Sequence, residues 1–125
     1  MNALELAQRS YARPDTPARS PRDIEYDLIA RITRRLTAAS DKSETGFAAL
    51  VAALHDNEEM WRTFAMDVAE PGNGLPAPLR AKLYYLYEFT AQHSPKVRDG
   101  VASVDVLVDI NTAVMRGLRG KGGAP

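Results

Sequence analysis

Apolar residues recur at intervals of three and four along most of this chain, the period of helices that bury one face. Alternation of the kind a half-buried strand shows appears only in Val104–Val108, and the residues after it return to the helical period. The pattern predicts an all-α protein: a small helical bundle of four main helices plus one or two short ones, with a disordered C-terminal tail.

Residues 3–11 suit a short helix, with Leu4, Leu6, Ala7 and Tyr11 as its apolar positions. Two prolines and no apolar period make 12–19 a linker. Ser20 as cap, Pro21 in the first helical position and Asp23 in the first turn open a helix that should run to about Ser40. Its core face is Ile24, Leu28, Ile29, Ile32 and Leu36. A polar turn at 41–46 precedes a stretch from Phe47 to Val68 without glycine or proline. There Phe47, Leu50, Val51, Leu54, Trp61, Phe64, Ala65 and Val68 follow one drifting stripe, so a single long helix is expected. A break at Asp56 or Asn57 is the alternative, since Asp56 with Glu59 would make a second cap and Asn57 could start the second half. EPGNGLPAP is the clearest loop. A helix from Pro76 or Pro78 to about His93 follows, then Ser94-Pro95 as a new cap and first-turn proline, then a turn through Gly100. Ser103 is positioned to cap the last helix, 104 to 117, with Gly117 near its end and 120–125 as the tail.

The 125 residues suffice for one domain, 1–119, with 12–19 as a linker within it. There is no cysteine, which excludes disulfides and thiolate sites and fits a cytoplasmic protein. No run approaches ~18 consecutive apolar residues, and the first residues lack the basic start and apolar run of a secretory signal, so no membrane association is expected. Lys plus Arg and Asp plus Glu are 16 each, so the net charge is zero. That speaks against a dedicated nucleic-acid binder, whose affinity rests on excess cations. The charge is uneven: residues 41–75 carry 2 cations and 7 anions, between flanking segments that are net positive. An acidic helix between basic ones is internally complementary.

Candidate chemistry is sparse. The two histidines, His55 and His93, are far apart and in no metal-ligand spacing. No phosphate-binding glycine loop or nucleophile elbow occurs, and Glu58 and Glu59, adjacent in sequence, face different directions on a helix. No catalysis, metal or cofactor is expected. Arg31, Arg34 and Arg35 read as a solvated face interleaved with Asp23 and Asp27 rather than as a phosphate contact.

The helix at 76–93 is more informative. Leu79, Leu83, Leu86 and Thr90 form one stripe, flanked by Tyr84 and Tyr87 on one side and Tyr85 and Phe89 on the other. Apolar and aromatic groups then cover more than half its circumference, where a surface helix normally shows one apolar face. Either this is the central helix, with hydroxyls reaching water, or one aromatic flank meets a partner. In the last helix Asn111 interrupts the face made by Val104, Leu107, Val108, Val114, Met115 and Leu118. A buried amide must find hydrogen bonds, either to a neighbouring element, fixing register, or to a partner's backbone.

Three fragments resemble the FlaF family of flagellar biosynthesis regulators. One is A-L-x-x-N-x-x-x-W at Ala53, Leu54, Asn57 and Trp61, followed by Asp67. The next is N-x-L-P-x-x-L-R-A at Asn73, Leu75, Pro76, Leu79, Arg80 and Ala81. The last is I-N-x-x-V-M-x-G-L at Ile110, Asn111, Val114, Met115, Gly117 and Leu118. S-P-R-D-I-E at 20–25 is similar to the family's entry into its first long helix, and the order agrees over about residues 11–119. The resemblance implies a cytoplasmic, non-enzymatic protein that binds flagellin and promotes its translation and secretion in a chaperone-like way, in opposition to FlbT, a second candidate partner. Flagellin's terminal amphipathic helices would need cover before export, and a helix-in-groove mode suits a small bundle. The alternative is an RNA-binding regulator of flagellin message. A monomer or weak oligomer is expected. The candidate partner contacts are Tyr84, Tyr85, Tyr87, Phe89, Asn73, Leu75, Pro76 and Asn111. Asn57, Trp61, Leu79, Arg80 and Met115 are motif positions of structural character.

Overall fold

The computed structural model describes residues 21–39 and 44–123, with side chains over 25–39 and 46–117. The expected short helix at 3–11, the linker at 12–19, the Ser20 cap, the expected helix end at Ser40, and Ala124 and Pro125 lie outside the described residues. Four helices follow in order: α1 (Pro21–Ala38), α2 (Glu44–Ala69), α3 (Ala77–Arg98) and α4 (Asp105–Gly123). No strand occurs among the described residues.

Two apolar clusters form the core. One gathers Leu36 of α1, Ala53 and Leu54 of α2, Val97 of α3 and Leu107 of α4. The other gathers Ile29 and Ile32, Met60 and Trp61, with Leu83, Leu86 and Tyr87 of α3 and Ile110, Val114 and Met115 of α4 packed against them. The order in which each helix visits the clusters gives the topology. The chain runs from the second cluster to the first along α1 and α3, and from the first to the second along α2 and α4. The bundle is therefore up-down-up-down, as short connections favour. α2 packs chiefly against α3, and α1 against both α4 and α2. On the surface, Arg35 of α1 donates to Asp56 of α2 at 2.6 Å, one contact between the basic and acidic segments. Both side chains are well exposed, which limits the pair to about 0–1 kcal/mol.

α2 is unbroken, as the sequence suggests, but three boundaries differ from the expected ones. α2 is continuous from Glu44 to Ala69, with no break at Asp56 or Asn57 and a start ahead of Phe47. Phe47, read as the first core position, is 52% exposed, because the stripe turns inward only from Leu50. α4 continues through Gly117 to Gly123.

The largest difference is in α3, which passes through Ser94-Pro95 and ends at Arg98. Ser94 does not cap a new helix: it is buried, and its hydroxyl donates to the Thr90 carbonyl at 2.8 Å. Pro95 removes only one backbone bond, the one to Ala91, and the burial of Ser94 and Val97 holds the last turn in place. Restoring that bond with Pro95→Ala is expected to raise stability by about 1 kcal/mol, or about 3–5 °C in melting temperature. A melting point unchanged or lowered in calorimetry would mean that the proline sits there without cost.

α3 ends in a Schellman motif. Gly100 has φ +77°, its N–H reaches the Val97 carbonyl at 3.1 Å, and the Val101 N–H reaches Lys96 at 2.9 Å. Glycine suits this left-handed position because it lacks a Cβ. The Ser103 hydroxyl then accepts the Asp105 N–H at 3.0 Å, the capping bond the sequence suggests. Close by, His93 Nε2 lies 2.9 Å from the Ser103 carbonyl, and its ring stacks on Phe89 at 5.4 Å.

Candidate protein-binding surface

Between the two clusters each helix contributes a polar residue: Thr33 in α1, Asn57 in α2, Thr90 in α3 and Asn111 in α4, all buried. Thr33 satisfies its hydroxyl locally, donating to the Ile29 carbonyl at 2.7 Å. The two asparagines and Trp61 form a chain of hydrogen bonds whose direction is set by chemistry. The indole N–H can only donate, so Asn111 must turn its carbonyl oxygen toward it, and Trp61 Nε1 to Asn111 Oδ1 is 2.9 Å. The Asn111 amide nitrogen then faces Asn57 and donates to its Oδ1 at 2.9 Å. All three side chains are fully enclosed. Asn111 is thus an internal tie between α2 and α4, not a surface available to a partner. Asn57 is the acceptor that completes it, not a helix cap.

The remaining candidates lie around α2, α3 and the loop between them. The aromatic flanks do not divide into one buried and one exposed. Each is split: Tyr84 and Tyr85 are 42% and 62% exposed, while Tyr87 and Phe89 are half-buried. Tyr87 packs against the second cluster and meets Tyr84 edge to face at 5.8 Å. A hydrogen bond to Tyr87, and then the charge of Glu59, holds the Arg62 guanidinium above its usual range. Arg62 also donates to Glu59 at 2.8 Å. Tyr84 therefore rests against Tyr87, which Arg62 of α2 contacts in turn.

Asn73 shapes the loop. Its amide nitrogen donates to the Asp67 carbonyl at 3.2 Å, in the last turn of α2, and its Oδ1 accepts the Leu75 N–H at 3.0 Å. The side chain thus terminates α2 and makes the Asx turn leading to Leu75, which is half-buried. Pro76 is exposed and stands at the N-cap of α3. Leu79 and Met115 are half-buried, and Met115 packs into the second cluster.

Beside this loop α2 and α3 leave an open groove of about 280 Å³, lined by Val68, Ala69, Ala77, Arg80, Ala81 and Tyr84. Ala77, Arg80, Ala81 and Tyr84 stand at i, i+3, i+4 and i+7, one continuous face of α3. Three alanines keep the floor low enough for another backbone to approach. Met66, outside the groove lining on the exposed side of α2, is 65% accessible, an exposed apolar side chain not evident from the stripe pattern. The alanines were equally hidden in the sequence, because alanine reads as filler on any helix.

No group of His, Cys, Asp or Glu among the described residues is arranged to hold a metal ion, and none of their helices is long and apolar enough to cross a membrane. Fold and surface together define a small four-helix bundle with a polar layer in its core and an open groove flanked by exposed aromatic residues. The chain belongs to the FlaF family: the model of that family, described as flagellar protein FlaF, matches residues 7–118. No curated protein and no solved structure matches the chain significantly.

Proposed function

We propose that this protein is a non-enzymatic cytoplasmic regulator of flagellar biosynthesis that binds flagellin and promotes its translation and secretion, acting in opposition to FlbT. The observation that carries the reading is the exposed Tyr84–Tyr85 pair beside the α2–α3 groove, in a chain of a flagellar family. Large aromatic groups held rigid at a surface lose little freedom on binding and are enriched among the residues that dominate interfaces. The groove suits the apolar face of an amphipathic helix, the kind of segment flagellin must keep covered before it assembles.

Titration of the purified protein with flagellin tests this, without message and without FlbT. Tyr84→Ala and Tyr85→Ala together are expected to weaken binding at least ~10-fold while the thermal melt stays within a few degrees. The loss should persist at high salt, because the contact is apolar and screening does not act on it. Unaltered binding by the double variant would place the partner surface elsewhere, and no binding by the wild type would end the flagellin reading.

A further inference from the structure

Asn-Gly occurs once in the chain, at Asn73-Gly74 in the loop between α2 and α3. A glycine after an asparagine puts no side chain in the way of its main-chain nitrogen, which can then approach the amide carbon of the residue before it. Three features of the structure favour that attack. Asn73 Oδ1 accepts the Leu75 N–H at 3.0 Å, so the side chain folds over the peptide bond to Gly74, and Cγ and the Gly74 nitrogen lie in one hydrogen-bonded ring. The same Leu75 N–H faces the oxygen on which charge develops when Cγ is attacked, and a main-chain donor so placed stabilises an oxyanion. The Gly74 N–H makes no hydrogen bond among the described residues, and Gly74 is exposed, so solvent base can take its proton and water can reach the product. We infer that Asn73 is a site of spontaneous covalent modification, at which the Gly74 nitrogen displaces the side-chain amide and water converts the resulting succinimide to aspartate and isoaspartate.

The steps balance with water as the only co-reactant. The Gly74 nitrogen, its proton lost to solvent base, bonds to Asn73 Cγ. The Cγ–Nδ2 bond breaks, and that nitrogen leaves as ammonia, taking a proton from water in return for the one lost. A water molecule then opens the ring. Cleavage of the new bond to Cγ gives aspartate, and cleavage at the Asn73 main-chain carbonyl gives isoaspartate, whose backbone runs through Cβ and Cγ. Either product undoes a contact of the loop, because Nδ2 donates to the Asp67 carbonyl in the last turn of α2. A carboxylate has no proton to give that carbonyl, and it brings negative charge to the helix end that already carries the negative pole of the dipole. Asp67 and Glu70 add to the negative charge of the same stretch. The modification therefore releases the tie between this loop and α2.

Incubation of the full chain in warm buffer tests this, read by intact mass and peptide mapping. The chain should gain about 1 Da and release ammonia in equal amount. The gain should map to Asn73 and not to Asn57 or Asn111, which are enclosed within helices. It should quicken as pH rises, because the Gly74 N–H must lose its proton, and an isoaspartyl methyltransferase should label the same peptide. Gly74→Ala should slow the gain at least ~10-fold with an unchanged thermal melt, since a Cβ there meets nothing and Gly74 has no left-handed φ. A synthetic peptide of residues 70–77 gives the rate without the folded turn. The native chain should convert as fast as the peptide or within ~10-fold of it, and slower conversion overturns the inference, because the fold then shields Asn73. No mass gain, a gain located elsewhere, or an undiminished rate in Gly74→Ala overturns it equally. Asn73→Asp carries one product from the outset and should lower the melting temperature by about 3–5 °C; an unchanged melt overturns the release of α2.

Discussion

Trp61→Ala is expected to destabilise the protein by about 4–5 kcal/mol, and to lower its melting temperature by more than about 12 °C. Trp61 is the largest fully enclosed side chain and belongs to the second cluster, beside Ile29, Ile32 and Met60. Its edge-to-face contact with Phe64, at 6.1 Å between ring centres, goes with it. Truncation of a buried aromatic typically costs about 3–5 kcal/mol, and here it also removes the indole donor to Asn111 Oδ1. Domains of this size have about 5–15 kcal/mol in total, so the variant stands near the edge of folding. Urea unfolding followed by circular dichroism checks this. Trp61→Phe keeps most of the volume and loses the N–H, so it should fall by only about 1–2 kcal/mol. A loss below about 2 kcal/mol for the alanine variant would mean that the site collapses around the gap.

Asn111→Leu is expected to cost about 3 kcal/mol. Leucine fits an apolar helix face, yet it leaves two enclosed groups unpaired: the Trp61 N–H and the Asn57 carbonyl. Each such group costs about 1–3 kcal/mol when its partner is removed. Replacing Asn57 as well removes one of the stranded groups together with its own unpartnered Nδ2. The double variant Asn57→Leu with Asn111→Leu should therefore lose at least about 1 kcal/mol less than the two single losses added. Strict additivity would show that the two amides do not act as a pair. An Asn111→Leu protein as stable as the wild type, with flagellin binding impaired, would return Asn111 to the role of a partner contact and contradict the internal tie.

The polar layer also bears on uniqueness. Each helix has apolar residues above and below the layer, so slipping one helix by a turn would still bury apolar surface. It would, however, separate Asn57, Asn111 and Trp61, whose hydrogen bonds exist in one register only. A buried polar residue that specifies alignment at some cost in stability is well attested in coiled coils.

Local chemistry was enough to read the helices, because amphipathic periodicity, proline and capping residues act within a few positions of one another. It predicted the four main helices, the Asn73–Pro76 loop, the Ser103 cap and most of the inward face of α1, Ile29, Ile32 and Leu36 among it. It also marked Asn111 as an amide on an apolar face and left open whether it faced inward or a partner. Tertiary packing decided the rest. Burial of Ser94 and Val97 carried α3 past a proline that would otherwise open a new helix. The tryptophan at 61 gave Asn111 its acceptor role, though 50 positions separate the two. Which of four aromatic residues stay exposed depended on where α2 lies against α3, and no periodicity within α3 could reveal it. The groove and its alanines exist only where two helices meet, so a pattern read along one helix at a time could not show them.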